Sequence, residues 1–405
     1  MKSYVVIGAN YGDEGKGVIT DYLTKCLHNQ LVCRFNGGCQ AGHTVVKSSD
    51  IKHVFHHVGS GTFENADTYL GPNFIVNPYL LPTELAELSN KGKHPRIYCN
   101  INAPITTIYD MAINVIVESS RTNRHGSCGL GINETVTRNS HGFTLVVADL
   151  LKPKFILLDK IEQIHQRWVD YRLGILGIES ISDALHDKTA RVLFNNDYHY
   201  NEHADKLLSV LDDLDISFND DDTDWNNIVL EGAQGLGLDE DLGNFPHVTR
   251  SLTGLPQAIN VSINHNITEI QPVYVSRCYT TRHGAGPLLH EGQVITGSPL
   301  FDSTNIENEW QGKIRYAPLN LQRMKELITK DRNRCSSTDI TIGDPVLAIT
   351  CLDQIVDYIM LYDTSGNTRI FTDANQLIDF IEKDMNIKVQ FICDGTSSEH
   401  VTRLF

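Results

Sequence analysis

The residues best suited to chemistry cluster near the start of the chain. Residues 5–21 read VVIGANYGDEGKGVITD: an apolar run ends at Gly8, and Gly12, Gly15 and Gly17 recur around Asp13, Glu14 and Lys16. Glycines let backbone N–H groups approach an anion, a helix opening at Lys16 favours negative charge, and the lysine adds a point charge. The stretch therefore reads as a phosphate-binding turn, with Gly12, Glu14, Gly15, Lys16 and Gly17 facing a nucleotide. It is not a strict G-x-x-x-x-G-K-S/T loop, because Asn10 replaces the first glycine and Gly17 the hydroxyl residue. Magnesium then needs another oxygen ligand, and Asp13 is the candidate. Residues 34–44, RFNGGCQAGHT, form a second glycine-rich turn ending in His43 and Thr44. Both turns follow apolar runs expected to be neighbouring strands, which would set Asp13 and His43 in one pocket. A carboxylate base opposite an imidazole suits the transfer of a phosphoryl group.

The elements that position these groups are short buried strands at 4–8, 31–35, 97–100, 144–147, 228–230, 270–275 and 346–350. Helices are expected over 81–89, 154–176, 181–194 and 201–214. Together they predict an α/β fold: a large, mostly parallel central sheet with flanking helices and a P-loop-like turn after the first strand. The whole of 1–405 reads as one unit, with an inserted helical subdomain near 154–220. The acidic run 220–224 reads as a solvated loop.

Fifty acidic against 34 basic side chains leave a net charge of −16. This argues against nucleic-acid or anionic-membrane partners, which select basic surfaces, but not against a small anionic ligand. The nine cysteines include no CxxC pair and no zinc-like spacing with histidine. No apolar run approaches the ~20 residues needed to span a bilayer. The expectation is a cytoplasmic protein with reduced thiols.

Taken together, GANYGDEGKG and RFNGGCQAGHT resemble the adenylosuccinate synthetase family. Further blocks follow in the family's order: His56 to Gly61 (HHVGSG), Gly126 to Gly131 (GSCGLG) and Glu231 to Asp239 (EGAQGLGLD). After them come Pro246 to Thr249 (PHVT), Tyr279 to Pro287 (YTTRHGAGP) and Leu352-Asp353. The resemblance implies a ligase that joins L-aspartate to C6 of IMP through a 6-phosphoryl intermediate, at the expense of GTP. It also implies magnesium and a homodimer with a shared site. Asp13 would be base and magnesium ligand, His43 would bond the transferring phosphates, and Gln234 would contact the purine O6. Gly42 would offer its carbonyl to magnesium, while Asp353, Thr44 and Gly395 would sit with the nucleotide. Gln40, Ser127, Cys128, Thr249 and Arg138 would hold the purine monophosphate, Arg138 reaching in from the partner subunit. Lys313 and Arg315 would bind the amino acid.

The sequence also departs from the family pattern. Asparagine is usual at Gln40, and a pair of threonines at Ser127 and Cys128. The aspartate loop reads NEWQGKIR over 308–315, lacking the usual threonines and one arginine. Cys351 replaces the lysine of the guanine-reading Lys-Leu-Asp. Some phage-encoded relatives use dGMP, with ATP as donor in some cases, to make 2-aminoadenylosuccinate. The atypical 308–315 loop and Cys351 keep that alternative open, whereas Asp13 favours IMP. A nucleotide-binding module without catalysis is disfavoured by the joint presence of Asp13, Lys16, His43 and Gln234.

Overall fold

The computed structural model describes residues 3–27, 31–48, 51–120, 129–178, 200–217, 228–300, 302, 312–335 and 339–405. The first apolar run forms strand Ser3–Gly8, buried at every position. Alternate side chains leave a strand on opposite faces. Val5 and Ile7 accordingly pack with Leu230, Tyr274 and Leu347 on one side. Tyr4 and Val6 pack with Ile19, Leu23 and Phe391 on the other. Covered faces on both sides are the condition for a parallel sheet. Full burial of such side chains contributes about 1.5–3 kcal/mol each.

This strand sits at the centre of an eleven-stranded sheet. To one side lie Glu269–Arg277, with the short strand Thr341–Ile342 also paired to it, then Val346–Thr350, Lys388–Cys393 and the antiparallel edge strand Val401–Arg403. To the other lie Val229–Gly235, Leu31–Arg34, Asp67–Leu70, Ile97–Asn100 and Asp215–Ser217, all parallel. The carboxyl ends of the central strands therefore share one edge, where ligand sites of open α/β sheets form. Helix Lys16–Leu27 follows the first strand and lays Val18, Ile19 and Leu23 on the sheet, so its amino end faces that edge.

Several expectations need correction. Leu31–Arg34 is not adjacent to Ser3–Gly8, because Val229–Gly235 lies between them. Residues 144–147 make no strand. Their only pairing among the described residues is an isolated bridge from Val146 to Pro104, and the chain then turns into helix Val147–Leu150. Residues 154–176 are helical throughout, with a π-turn over Ile164–Val169. The expected 201–214 helix is α-helical only over Tyr200–Leu208, tightening to a 3-10 turn at Ser209–Asp212. Residues 181–194 and 220–224 lie outside the described residues. Among the described residues no helix is long and apolar enough to cross a membrane.

Candidate active site

At the carboxyl end of Ser3–Gly8 the chain enters a turn in which Gly12, Asp13 and Gly15 all have positive φ (105°, 59° and 92°). Asp13 is the notable member, since a side chain in that region costs on the order of 1–3 kcal/mol unless its surroundings impose it. The surroundings do so. The Arg277 guanidinium donates to the Asp13 carbonyl, and Thr281 Oγ1 donates to the Gly12 carbonyl at 3.1 Å. His283 Nε2 stands 3.3 Å from Asp13 Oδ2. The Asp13 carboxylate keeps 28% exposure, on the wall of a cavity of about 890 Å³.

The Glu14 side chain does something other than bind phosphate. Its carboxylate turns under the loop, accepting the N–H groups of Gly12 (2.7 Å) and Asn10 (3.2 Å) and the Lys16 ammonium (2.7 Å). At 1% exposure it is the internal counter-charge of the turn, and an anion so placed would repel a phosphate. Lys16 is thereby held at the mouth of the helix, still on the cavity wall.

His43 is oriented by Glu231, on the strand interposed between the two turns. Its Nδ1 lies 2.6 Å from Glu231 Oε1. The same carboxylate accepts the Ser60 hydroxyl (2.5 Å) and the Ser60 N–H (3.0 Å), with Arg34 Nε 3.9 Å away. Burial pushes the His43 imidazole down to about 4, outweighing the upward pull of Glu231. Burial alone would raise Glu231, but His43, Arg34 and Ser60 bring it down to about 2. Held at about 4, the His43 ring is neutral at pH 7. The ionised Glu231 accepts Nδ1–H from a neutral ring, which leaves Nε2 to the cavity. An incoming phosphate would favour the imidazolium instead.

Among the described residues, buried polar atoms on the cavity wall without a hydrogen-bond partner include Gln40 Oε1, His43 Nε2 and Gln234 Oε1. Buried polar atoms are nearly always satisfied, so such a convergence marks a place for a polar ligand. Gln234 also has positive φ (58°), which tips its side chain off the end of its strand. Gly12, Gly15, Gly17, Gly42 and Thr44 line the same cavity, as do Thr249, Asp353 and Gly395. Thr249 is carried by a loop stapled at the buried Asp239, which accepts the N–H of Asp241, Leu242 and Thr253 and pairs with Arg334. Asp353 is exposed, and Gln354 donates to its carboxylate at 2.7 Å. No helix runs from 354 to 358, so Asp353 does not cap one.

Other expected residues lie elsewhere. Arg138 is fully buried and its guanidinium points inward, to Asp110 (3.0 Å) and to the carbonyls of Ile105 (2.8 Å) and Phe143 (2.5 Å). It forms a core ion pair within this chain. Arg315 is engaged by Glu291 (2.6 Å) and by the carbonyls of Gly284 and Gly286. Neither Arg315 nor Lys313 is among the cavity's lining residues. Ser127, Cys128 and 308–311 lie outside the described residues. Glu231, Ser60, Arg277 and His283 were not foreseen in these roles. Glu231 carried one signal, an acidic residue inside an otherwise apolar strand.

Among the described residues no group of three or more His, Cys, Asp or Glu could hold a metal. The available oxygens, the Asp13 carboxylate and the Gly42 carbonyl, suit an ion that keeps waters and substrate phosphates in its shell, as magnesium does.

A phosphate-accepting turn at the switch point of a parallel sheet, opening on a cavity with unsatisfied polar atoms, defines a nucleotide-binding α/β protein. Comparison with known proteins specifies it further. Residues 5–315 match the sequence model for adenylosuccinate synthetase. The chain belongs to the adenylosuccinate synthetase family. It is 31% identical over 297 residues to the adenylosuccinate synthetase of Clostridium botulinum, covering 71% of this chain and 65% of that relative. The match to the Borrelia duttonii enzyme is 26% over 445 residues, covering 98% and 97%. The fold agrees with that of fully ligated adenylosuccinate synthetase from Plasmodium falciparum (TM-score 0.74, 19% identity, 100% of both chains). It also agrees with cyanophage S-2L succinoaminodeoxyadenylate synthetase, solved with dGMP and dATP (TM-score 0.60, 15% identity, 99% and 95% covered).

Proposed function

We propose that this protein is a ligase that joins the amino group of L-aspartate to C6 of a purine nucleoside monophosphate, with IMP as acceptor and GTP as donor. The observation that carries the reading is the convergence of Asp13, Lys16, the Glu231-held His43 and Gln234 on one cavity. In the first step Asp13 takes the N1 proton of the purine, and the charge moves to O6. O6 then attacks the γ-phosphorus, the bond to the β-γ bridging oxygen breaks, and GDP leaves. Lys16 and the amides of the 12–17 turn hold the phosphates, and His43 Nε2 faces the transferring group as it gains charge. Gln234 offers an amide to O6, a donor that adds no competing charge. In the second step the aspartate amine attacks C6, phosphate departs with O6, and the amine gives up a proton. Magnesium, bound by Asp13 and the Gly42 carbonyl together with substrate phosphates, would neutralise charge developing on the phosphoryl oxygens.

Asp353 supports GTP, because a carboxylate accepts from guanine N1–H and N2–H₂ and finds no such donors on adenine. A dGMP acceptor with an ATP donor is the second reading, favoured by Cys351 in place of a lysine. A homodimer in the cytoplasm completes the proposal. The test is a matrix of IMP, GMP and dGMP against GTP and ATP with aspartate, read by phosphate release and product mass. Adenylosuccinate from IMP and GTP supports the first reading, and product from dGMP alone replaces it with the second.

A further inference from the structure

The Asp13 carboxylate does not stand alone on the cavity wall. His283 lines the same cavity, and its Nε2 lies 3.3 Å from Asp13 Oδ2, with 18% of the histidine and 28% of the aspartate side chain exposed. A carboxylate only accepts hydrogen bonds, so the ring nitrogen turned towards it is the one that carries a proton. Contacts of this kind are often long before substrate arrives and tighten in the complex. As a part-exposed ion pair the contact adds little stability, yet the two backbones are fixed to each other. Thr281 Oγ1, two residues before the histidine, donates to the Gly12 carbonyl at 3.1 Å, and the Arg277 guanidinium donates to the Asp13 carbonyl. On the other flank Arg282, 1% exposed, donates to the carbonyls of Ala285 (3.2 Å) and Pro287 (3.0 Å), and Arg315 donates to the Gly284 carbonyl at 2.8 Å. His283 and Asp13 are therefore parts of one rigid unit, in which the histidine meets the carboxylate at Oδ2.

We infer that His283 is a specificity-determining residue, which makes the acceptor site select a 6-oxopurine with hydrogen, not an amino group, at C2. The inference rests on the proposed function, in which Asp13 takes the N1 proton, and deepens it by separating the acceptor bases. In a 6-oxopurine N1 is flanked by C6 and C2. With O6 held by Gln234, the C2 substituent falls on the other side of N1. Guanine offers N1–H and N2–H₂ side by side, and a carboxylate takes that pair with one oxygen for each. Here the His283 Nε2–H occupies Oδ2, which leaves Oδ1 for N1–H. A 2-amino group then meets a donor where it needs an acceptor. Hypoxanthine offers only N1–H as a donor on this edge and leaves nothing unmatched. A donor left facing a donor discriminates strongly, because the penalty falls on the wrong substrate alone.

The test measures dissociation constants by calorimetric titration, without donor or metal, in parent, His283→Leu and His283→Lys. The ligands are IMP with GMP, and dIMP with dGMP, so that within each pair only C2 differs. The parent should bind the hypoxanthine nucleotide about 5- to 150-fold more tightly than the guanine nucleotide. His283→Leu frees Oδ2 and should remove most of that ratio by tightening the guanine nucleotide, whereas lost packing alone would weaken both ligands alike. His283→Lys, which has donors and no acceptor, should keep the ratio. An unchanged ratio in His283→Leu, or equal weakening of both ligands, would overturn the inference. So would a parent that binds the guanine nucleotide as tightly as the hypoxanthine nucleotide. A lysine variant that prefers guanine would overturn it too, and that arm stands even if the leucine variant does not fold. A parent with the expected ratio but no turnover would sink the ligase reading and leave the inference standing. Turnover with dGMP alone would keep the ligase chemistry and overturn the inference. A parent that binds no purine monophosphate would sink both.

Discussion

Replacing Glu231 by Gln keeps the shape of the side chain and removes its charge, which makes it a sharp probe of the His43 arrangement. Oε1 already receives His43 Nδ1 at 2.6 Å and the Ser60 hydroxyl at 2.5 Å, while Oε2 receives the Ser60 N–H at 3.0 Å. With the amide oxygen at the first position, its NH₂ confronts the Ser60 N–H, donor against donor. Arg34, fully buried 3.9 Å from Oε2, loses its counter-charge. An unpaired buried donor costs about 1–3 kcal/mol, and an uncompensated buried charge about 3–5 kcal/mol. The two overlap, so the expected loss is about 3–5 kcal/mol, a large share of a typical ~5–15 kcal/mol stability. If the amide flips, its NH₂ forces His43 into the other tautomer. Either way turnover should fall at least about tenfold, since loss of an orienting carboxylate costs up to ~10⁴ in a Ser-His-Asp triad. Denaturant unfolding and steady-state turnover measure both effects. A variant within about 0.5 kcal/mol of the parent and equally active would refute the claim that an ionised Glu231 holds His43.

Arg138→Leu should cost about 3–5 kcal/mol by stranding the buried Asp110, and mixing it with Lys16→Gln should restore no activity. Recovery of turnover in such mixtures would instead place Arg138 in a shared site. Asp353→Ala should lower the preference for GTP over ATP about tenfold, as the loss of hydrogen bonds to a charged group implies. An unchanged kcat/KM ratio for the two donors would remove Asp353 from base recognition. Burial holds His43, His203 and His265 each down to about 4, so the unfolded chain takes up their protons first as pH falls. Stability should therefore drop between about pH 6.5 and 4, by ~1.4 kcal/mol per pH unit for each extra proton bound on unfolding. Denaturant midpoints that do not move between pH 7 and pH 5 would contradict this.

The phosphate turn was legible because its chemistry is local: glycines, a lysine and a helix start are contiguous in sequence. Strand Ser3–Gly8 was legible because five consecutive apolar or glycine residues leave it nowhere to go but the core. The order of strands was not legible. That Val229–Gly235 inserts between the two turns depends on long-range pairing, and this insertion brings Glu231 to His43. Asp67–Leu70 and Lys388–Cys393 escaped notice because Asp, Thr, Lys and Gln dilute their apolar pattern. Spacing alone could not reveal which way a charged side chain turns, so Glu14 and Arg138 read as ligand contacts although both are buried counter-charges. The 144–147 run misled for the converse reason, because β-branched residues there enter a helix by way of a single bridge.

The central claim is that O6 of the purine attacks the donor phosphate and later leaves with it, with Asp13 as the base. IMP labelled with oxygen-18 at the 6-position, incubated with GTP and aspartate, tests this directly by mass analysis of the released phosphate. The account predicts one labelled oxygen in each phosphate released by the parent, and almost no release from Asp13→Asn although that variant still binds nucleotide. Unlabelled phosphate alongside product, or near-normal release from Asp13→Asn, would contradict it.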